Sequence, residues 1–397
     1  MAHQRNRAIL PTLLKTLRYH PVVGVLGARQ TGKSTLIRDL LKNELPRLNY
    51  LTLDKKDVRT IANERPDYFL ESQIESGHLL CIDEIQKVPD LFDSIKAAVD
   101  EDRKPGIFLI SGSVGFSRKI GIRESLTGRI RTLRLYPMTI AESLSQAANT
   151  LWDDLENLSK TKSQSRSSSD VHRWLETGGL PLIAFTRDST ERHSVIEAWL
   201  ETTFLRDLTQ FKIRNFDPDL ARDLFTAINL AEHPDLATLA KHLKTDARKL
   251  NTYLEAFQEV FIVTKINPSA LGIGKPIYLP FDAGIAAHLG ASLHRRAQIL
   301  FMNEFLSHTE NRSGGRPKKL SYYRSPKGSR IDFIISDSKS TQAFLITTEE
   351  KFSPYSIRGF KKLIELEKAV SCFVVYPGKT ILKVEKHITL IPWGVLF

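Results

Sequence analysis

The chain has 397 residues, of which 41% are hydrophobic and 26% charged, so the composition predicts a globular protein and excludes wholesale disorder. Lysine and arginine outnumber the acidic residues by 57 to 45, and the resulting formal net charge of +12 favours a polyanionic partner such as nucleic acid. Two cysteines are too few for a disulfide framework or a cysteine-based zinc site.

The N-terminal segment, residues 1–10, is basic and lacks the apolar core of a signal peptide. No run in the sequence approaches the roughly 18 apolar residues that a membrane-spanning helix needs. We therefore expect a cytoplasmic protein with no membrane partner.

The first 140 residues alternate short apolar runs with helical patterns, which predicts β-α-β units and a parallel sheet. We expect an α/β domain with helices on both faces of this sheet. Five apolar runs predict the strands: Val22–Leu26, Leu48–Leu53, His78–Ile82, Ile107–Ile110 and Thr132–Leu135.

The first predicted strand is followed by the segment GARQTGKS, from Gly27 to Ser34, which fits the phosphate-loop pattern G-x-x-x-x-G-K-[ST]. In such a loop the glycines let backbone amides point at phosphate oxygens, and the helix that follows adds its dipole. Lys33 would reach the β- and γ-phosphates, and the Ser34 hydroxyl would bind Mg²⁺. The sequence therefore predicts ATP and Mg²⁺ as ligands, with the nucleotide held by Gly27, Ala28, Arg29, Gln30, Thr31, Gly32, Lys33, Ser34 and Thr35.

Two acids, Asp83 and Glu84, follow the apolar run Leu79–Ile82. This run predicts a buried parallel strand, and ligands of open α/β sheets bind at the carboxyl ends of the strands. We expect Asp83 to hold Mg²⁺, directly or through water, and Glu84 to act as the general base on the attacking water.

The next apolar strand ends in Ser111-Gly112-Ser113. A polar side chain at this position would lie beside the γ-phosphate. Either serine fits this role, and Ser113 is taken as the candidate.

An arginine that contacts the γ-phosphate would stabilise the charge that develops in phosphoryl transfer. The segment LTGRIR supplies Arg129 and Arg131, of which Arg129 is the stronger candidate. It would act within its own chain or toward a neighbouring subunit.

The middle of the chain begins with a polar, serine-rich segment, Ser159–Asp170, which predicts a linker. Helical patterns follow to about Val260, and then come a β-prone segment, Phe261–Ile266, and a Gly/Pro-rich loop, Leu271–Pro280. Two amphipathic helices before the β-prone segment predict a winged helix, and four cations there could contact DNA phosphates: Lys241, Lys244, Arg248 and Lys249.

The last part of the chain, residues 291–397, holds 18 basic and 9 acidic residues. Its formal charge of +9 accounts for most of the net charge of +12 of the whole chain. A helix is predicted over Arg295–His308 and another over Ser356–Lys368, with a basic loop at Asn311–Lys319. The predicted strands are Lys319–Arg324, Arg330–Ser336, Gln342–Thr348, Cys372–Tyr376 and Thr389–Pro392.

Six segments carry a resemblance to a known family: GARQTGKSTLI, CIDEIQKVPDLFDSIK, LISGSVGF, SLTGRIRTLRLYPMTIAE, GGLP at residues 178–181 and FLRDL at residues 204–208. They resemble AAA-type ATPases, similar to AAA+ and STAND-like proteins, that carry a C-terminal DUF4143 region. The resemblance covers nearly the whole chain. It implies a five-stranded core sheet, a helical and winged-helix middle and a C-terminal restriction-endonuclease-like fold, and it assigns Lys33, Asp83, Glu84 and Arg129 the roles given above.

The resemblance divides the chain into an ATPase domain (1–158), a linker (159–170), a helical lid with a winged helix (171–290) and a DUF4143-type domain (291–397). In the last domain, four residues resemble the PD-(D/E)xK nuclease arrangement, in which carboxylates hold Mg²⁺ and a lysine steadies the phosphate charge: Glu304, Asp332, Glu349 and Lys351. Arg330 departs from the pattern, because related sequences often carry an acid there.

The sequence therefore predicts an AAA-type ATPase whose hydrolysis of ATP is coupled to nucleic-acid binding. Two alternatives stay open. One is a STAND-like nucleotide switch that regulates a protein partner, and the other is a metal-dependent DNA nuclease gated by ATP.

Overall fold

The computed structural model describes residues 5–74, 77–115, 126, 128–153, 155, 166–312, 318–351 and 357–397. These residues form two compact units. The first contains the chain up to Met138, together with Glu259–Phe261 and a short stretch from Glu310. The second contains the rest of the described chain from Thr139 onward.

The first unit is built on a parallel sheet of five strands in the order β2-β3-β4-β1-β5. All five predicted strands are confirmed to within about two residues. The strands are β1 (Val22–Leu26), β2 (Leu48–Thr52), β3 (Leu79–Asp83), β4 (Phe108–Gly112) and β5 (Ile130–Arg134).

Helices connect these strands in the way the alternating pattern predicts. The helix after β1, called α2 here, starts at Lys33–Thr35 and continues through a π-helical segment, Leu36–Leu41, to a last turn at Lys42–Glu44. The other helices of the unit are α1 (Leu10–Leu17), α3 (Lys56–Glu64), α4 (Pro66–Gln73) and α5 (Leu91–Glu101).

The interior strand β1 packs against helices on both sides of the sheet, because successive side chains of a strand point to opposite faces. Val22 and Leu26 belong to the core beneath α3, α4 and α5. Val23 and Val25 belong to the core beneath α1 and α2. The predicted α/β class with helices on both faces is confirmed.

The second unit begins with helices, several of them fixed by side-chain caps. Asp188, for example, accepts a hydrogen bond from the Glu191 amide at the start of its helix. The helices before the strands are α6 (Ile140–Ser143), α7 (Ser168–Thr177), α8 (Pro181–Phe185), α9 (Ser189–Thr202), α10 (Pro218–Leu230), α11 (Leu236–His242) and α12 (Ala247–Glu259).

An eight-stranded mixed sheet, in the order β12-β13-β11-β10-β9-β8-β6-β7, forms the rest of this unit. Strands β10, β11 and β13 are parallel, whereas β9 is antiparallel to both of its neighbours. The strands are β6 (Val263–Pro268), β7 (Ile277–Pro280), β8 (Lys319–Arg324), β9 (Arg330–Ser336), β10 (Thr341–Ile346), β11 (Val370–Tyr376), β12 (Leu382–Glu385) and β13 (Ile388–Pro392). The accompanying helices are α13 (Ala283–His288), α14 (Leu293–Asn311), α15 (Arg358–Leu366) and α16 (Trp393–Leu396).

Two sequence predictions for the connecting segments need correction. The predicted loop Leu271–Pro280 is wrong at its end, because Ile277–Pro280 pairs with β6 as strand β7. The predicted linker Ser159–Asp170 is wrong at its end, because α7 starts at Ser168 with Ser167 as its cap. The earlier part of that linker, like residues 313–317 of the predicted loop Asn311–Lys319, lies outside the described residues.

The GGLP segment folds around the buried carboxylate of Asp282. Gly178 is in the left-handed region (φ 66°), and a Cβ on it would overlap this carboxylate, so only glycine fits. Each carboxylate oxygen accepts two backbone N–H bonds of 2.8–3.2 Å, from Gly179 and Leu180 on one side and from Gly284 and Ile285 on the other. The motif therefore ties the turn before α8 to the start of α13.

None of the described helices is long and apolar enough to cross a lipid bilayer.

Candidate functional site

The phosphate loop connects the carboxyl end of β1 to α2, as the sequence predicts. Gly32 has a φ of 94°, in the left-handed region that favours glycine. A Cβ on Gly27 would overlap the carbonyl oxygen of Leu135, so the loop passes too close to the chain after β5 for any side chain. The loop therefore presents bare backbone at the N-terminus of a helix, which is the arrangement that binds phosphate.

The ammonium group of Lys33 is buried in this loop. It donates hydrogen bonds to the carbonyl oxygens of Gly27 and Ala28, at 3.0 and 2.9 Å. The Thr31 hydroxyl also donates to the Ala28 carbonyl, at 2.9 Å. These bonds place one positive charge inside the loop, where phosphate oxygens would be attracted to it.

A residue that the sequence prediction missed, Arg7, supports the loop from outside. Its buried guanidinium donates to the carbonyl oxygens of Thr31 and Tyr136, both at 2.7 Å. Arg7 therefore ties the phosphate loop to the chain beyond β5. The basic character of residues 1–10 was the only sequence signal for it.

Asp83, at the carboxyl end of β3, lies directly beside the loop. Its Oδ2 accepts a hydrogen bond from the Ser34 hydroxyl at 2.8 Å, and its Oδ1 accepts from Ser111 and from the Glu84 amide at 3.1 Å. Strand β4 lies between β1 and β3, so the end of β4 brings Ser111 between the loop and the acid. The predicted pair Ser34 and Asp83 is therefore brought together.

Tyr50 on β2 also contacts Asp83, and the sequence prediction missed it. Its phenol donates to Asp83 Oδ2 at 2.5 Å. Burial raises the pKa of Tyr50 far above its ordinary value of 10.0, and the hydrogen bond to Asp83 raises it further, so the phenol keeps its proton. Burial and the charge of Asp83 likewise raise the pKa of the Cys81 thiol, so Cys81 is an inert core residue.

Glu84 adopts a left-handed backbone conformation (φ 58°, ψ 40°), which is unusual and costly for a non-glycine residue. In this conformation its carboxylate accepts a hydrogen bond from the Gln86 amide group and one from Ser113, at 3.4 Å. The Gln86 amide also donates to Ser113 at 3.2 Å. The strained turn thus gives Glu84 a fixed position beside Asp83.

The two serines at the carboxyl end of β4 have different partners, a distinction that the sequence left open. Ser111 donates to Asp83, whereas Ser113 contacts Glu84 and Gln86. Both serines are buried. The candidate Ser113 therefore lies next to the acid that we expect to be the base, and Ser111 lies next to the expected metal ligand.

The structure does not bring the candidate Arg129 to this site. Ile130 pairs with Val22, at the start of β1, so Arg129 lies at the amino edge of the parallel sheet, opposite the phosphate loop. Its guanidinium makes an ion pair with Asp100, with N–O distances of 2.6 and 2.9 Å. The prediction that Arg129 contacts the phosphates of its own chain is therefore not supported by its position.

Arg131, the second candidate, also lies away from the loop. It pairs with Val23, near the start of β1, and it is exposed. The arginine at the carboxyl end of β5 is Arg134, which pairs with Leu26, and its guanidinium lies 4.6 Å from the ring centroid of Tyr136.

The structure gives Glu304 and Asp332 of the predicted nuclease site separate hydrogen-bond partners and shows no assembled metal site among the described residues. Glu304 is buried and accepts a hydrogen bond from the Ile140 amide at 2.7 Å, whereas Asp332 accepts from Gln298 and the Ile346 amide, both at 2.7 Å. The face of α14 that meets Asp332 thus carries an amide instead of a carboxylate. Glu349 and Lys351 are exposed, and in the described ranges no group of three or more His, Cys, Asp or Glu side chains could hold a metal.

The predicted phosphate-contacting cations of the middle region lie on the surface of α11 and α12 and the turn between them. Their side chains are exposed, and the start of α12 is fixed by Asp246, whose carboxylate accepts from two backbone amides. The cations are Lys241, Lys244, Arg248 and Lys249.

The residues of the first unit fit a nucleotide and Mg²⁺. The loop holds the buried ammonium of Lys33, and the Ser34 hydroxyl is within hydrogen-bonding distance of the Asp83 carboxylate. Hard oxygen ligands of this kind suit Mg²⁺. A parallel sheet with this loop after the interior strand β1, and with an acid at the end of β3, defines the class of P-loop nucleotide-binding proteins.

Family models match three parts of the chain. Residues 19–144 match the AAA domain, residues 168–291 match a domain of unknown function (DUF8612), and residues 300–396 match a further domain of unknown function (DUF4143). The AAA match at residues 19–144 and the C-terminal DUF4143 match at residues 300–396 are those that the resemblance of the motifs predicted.

Two curated relatives are each 28% identical to the chain over 400 residues, namely the uncharacterized proteins Rv2008c of Mycobacterium tuberculosis and Mb2031c of Mycobacterium bovis. Each alignment covers 92% of this chain and 79% of the relative. Among solved structures, the Walker-type ATPase paby2304 of Pyrococcus abyssi is 16% identical, with a TM-score of 0.44, and the match covers 70% of this chain and 94% of that one. Neither relative's name states an activity, and this solved structure is too distant to bear on the site.

Proposed function

We propose that the first unit binds ATP with Mg²⁺ and hydrolyses it. The observation that supports this most directly is the convergence on Asp83, which accepts hydrogen bonds from Ser34 of the phosphate loop and from Ser111 at the end of β4. Glu84 follows Asp83 in the chain and has its own partners, Gln86 and Ser113. Asp83 lies beside the loop serine, and Glu84 is held apart from it. Two acids in different environments suit different roles, here metal ligand and general base.

In this proposal each side chain has one task. The loop amides and the ammonium of Lys33 bind the β- and γ-phosphates, with Lys33 exchanging its carbonyl acceptors for phosphate oxygens. Ser34 and Asp83 would hold Mg²⁺, which supplies charge neutralisation to the phosphates when bound. Glu84 accepts the proton of the water that attacks the γ-phosphate, and Ser113 keeps the Glu84 carboxylate in position.

Steady-state ATP hydrolysis by the Glu84→Gln variant tests this role. Because the amide cannot accept the proton, we expect kcat to fall by about 100-fold or more, while ATP binding is retained. Glu71→Gln, on the exposed surface of α4, is the matched control and should turn over like the unaltered chain. An unchanged kcat for Glu84→Gln would remove Glu84 from catalysis.

We further propose that the second unit binds nucleic acid through a winged helix. Three helices, α10, α11 and α12, are followed by the antiparallel hairpin β6–β7, and a β-bridge joins Asp235, just before α11, to Ile277. This is the element order of a winged helix, and its exposed cations suit phosphate contacts. The formal charge of residues 291–397, +9, agrees with a polyanionic partner.

Fluorescence anisotropy with a labelled DNA duplex over a range of salt concentrations tests this second proposal. Each phosphate contact contributes about one unit to the slope of log affinity against log salt, so the double variant Arg248→Ala/Lys249→Ala should lower that slope by about two. Lys383→Ala, on the exposed strand β12, should leave it unchanged. An absence of binding, or of any effect of DNA on ATP turnover, would favour the alternative of a nucleotide switch that acts on a protein partner.

A further inference from the structure

A cavity of about 350 Å³ lies in the second unit, where the connection between α10 and α11 meets α14 and the strands β7 to β10. This volume lies within the range of cavities that bind small molecules. Much of the lining is apolar, and it is contributed by Ile277, Leu279, Tyr322, Tyr323, Phe333 and Leu345.

Arg330 lines this cavity at the start of β9 and remains open to solvent. Its side chain is 48% exposed, and its ion-pair partner Glu232 is 3.9 Å away and 90% exposed. An ion pair of this length between exposed side chains contributes little. Arg330 can therefore give its guanidinium to a ligand in the cavity at small cost.

Arg295 places a second guanidinium in the wall of the cavity, and this one is buried. Its Nη2 donates to the carbonyl oxygens of Ile228 and Tyr278, at 2.9 and 3.0 Å, but among the described residues its Nε has no acceptor. Burial lowers the pKa of Arg295 to about 9, so it stays cationic at neutral pH. Among the described residues Arg295 makes no ion pair, although the charge of the nearby Asp332 opposes the lowering of its pKa. A buried cation of this kind favours a further anion nearby.

Asp332, one of the two acids that line the cavity, already accepts hydrogen bonds from the protein. Gln298 and the Ile346 amide each donate to one of its oxygens at 2.7 Å, and His294 lies 3.7 Å away. Its carboxylate is therefore not offered to a metal ion. The ligand that this cavity suits is an anion.

The pKa of His233, which also lines the cavity, indicates whether positive or negative charge dominates around it. Burial lowers its pKa, and the charges of Arg330, Arg324 and Arg295 lower it further, while Asp235 opposes them. Three arginines therefore outweigh the nearby acid at this point of the cavity. The local electrostatic potential is therefore positive beside the exposed guanidinium of Arg330, which favours an anionic ligand there.

We propose that this cavity binds a nucleoside 5′-monophosphate, with the phosphate on Arg330 and the base against the apolar lining. A phosphate accepts the paired N–H groups of a guanidinium well, and the cavity volume matches a ligand of this size. The same chemical group occurs as a free nucleotide and as the 5′-terminal residue of a nucleic-acid strand. The proposal does not depend on ATP hydrolysis by the first unit.

Isothermal titration calorimetry with the four common ribonucleoside 5′-monophosphates tests the proposal. The titrations use full-length Lys33→Ala chain, so that binding in the phosphate loop does not contribute. We expect at least one nucleotide to bind, and the nucleoside without its phosphate to bind about 10-fold more weakly or worse, because it loses a charge-assisted hydrogen bond. Absence of binding by all four would overturn the proposal.

Substitutions in the lining test whether the nucleotide binds in this cavity. Adding Arg330→Ala should weaken the affinity about 10-fold or more, whereas Lys327→Ala, which removes an exposed cation of the β8–β9 turn, should change it less than about 2-fold. Leu279→Trp should also abolish binding, because the indole would fill the cavity. Equal affinity of the Arg330→Ala variant and its control would overturn the assignment.

Two oligonucleotides that differ only at the 5′ end separate the two sources of the ligand. If the strand with a 5′-phosphate binds Arg330-dependently and the strand with a 5′-hydroxyl does not, the cavity recognises nucleic-acid ends. If only the mononucleotides show the dependence on Arg330, the cavity is a site for the free nucleotide.

Discussion

The phenol of Tyr50 donates a hydrogen bond of 2.5 Å to Oδ2 of Asp83, the same oxygen that accepts from Ser34. The other carboxylate oxygen accepts from Ser111 and from the Glu84 amide. A carboxylate has about four lone-pair positions, so these four donors fill them. A metal ion or a metal-bound water can therefore reach Asp83 only if one donor moves. Tyr50 on β2 and Ser111 on β4 are the two donors that belong to neither the phosphate loop nor the turn at Glu84.

Replacing Tyr50 by phenylalanine should therefore lower the Mg²⁺ concentration needed for half-maximal ATP turnover. We expect a several-fold decrease, because one competing hydrogen bond to a charged acceptor, of about 1.5–3 kcal/mol, is removed. The measurement is the rate of ATP hydrolysis as a function of Mg²⁺ at fixed ATP. Tyr68→Phe, on an exposed position of α4, is the control, and a higher Mg²⁺ requirement for Tyr50→Phe would contradict the idea of competition.

Asp282 should be the most sensitive single carboxylate for the stability of the second unit. Its buried carboxylate accepts four backbone amides from the GGLP turn and α13. An asparagine there would place an NH₂ group against two of these donors, so Asp282→Asn should lower the free energy of unfolding by about 2–4 kcal/mol.

Urea denaturation monitored by tryptophan fluorescence checks this expectation, because all four tryptophans, at positions 152, 174, 199 and 393, belong to the second unit. The matched control is Asp188→Asn, where the exposed cap of α9 accepts a single amide and the loss should stay below about 1 kcal/mol. If the two variants lost similar amounts of unfolding free energy, the four amide bonds to Asp282 would not be important for stability.

Glu304 should make the second unit less stable as the pH rises. Burial raises its pKa to about 7, from an ordinary value of 4.5, and the bond from the Ile140 amide only partly opposes this. Between these values the folded chain keeps a proton that the unfolded chain releases, so the free energy of unfolding falls as the pH rises from about 4.5 to 7. The difference between the two pKa values corresponds to a loss of about 3 kcal/mol in the free energy of unfolding.

Glu304→Gln should remove this dependence, because its side chain is neutral at every pH and its carbonyl can still accept the Ile140 amide. We expect the variant to match the unaltered chain at pH 5 and to be more stable at pH 8, by fluorescence-monitored denaturation. Glu365→Gln, an exposed position of α15, is the control. A stability difference that is the same at both pH values would contradict the raised pKa.

Local sequence patterns were sufficient to predict the strands and the phosphate loop of the first unit, because each strand coincides with an apolar run and the loop is one contiguous segment. The position of Arg129 could also have been derived. An arginine that precedes a parallel strand lies at the amino edge of the sheet, and the phosphate loop follows a strand at the opposite edge.

Contacts between distant parts of the chain could not be predicted. Tyr50 reaches Asp83 only because β2 and β3 pair in a register that aligns Thr52 with Asp83, and the sequence does not specify that register. The contact between Arg7 and Tyr136 joins residues 129 positions apart. Spacing alone likewise did not show that Glu304 and Asp332 of the predicted nuclease site accept hydrogen bonds from different partners.

The most direct test of the whole account is calorimetric titration of the purified chain with Mg-ATP, compared with its Lys33→Ala variant. The account predicts saturable binding by the unaltered chain and at least about a 10-fold loss for Lys33→Ala, because charge-assisted bonds to the phosphates disappear. Lys56→Ala, at an exposed position of α3, should bind like the unaltered chain. Absence of heat with the unaltered chain, or equal affinity for Lys33→Ala, would contradict the proposal that this loop holds a nucleotide.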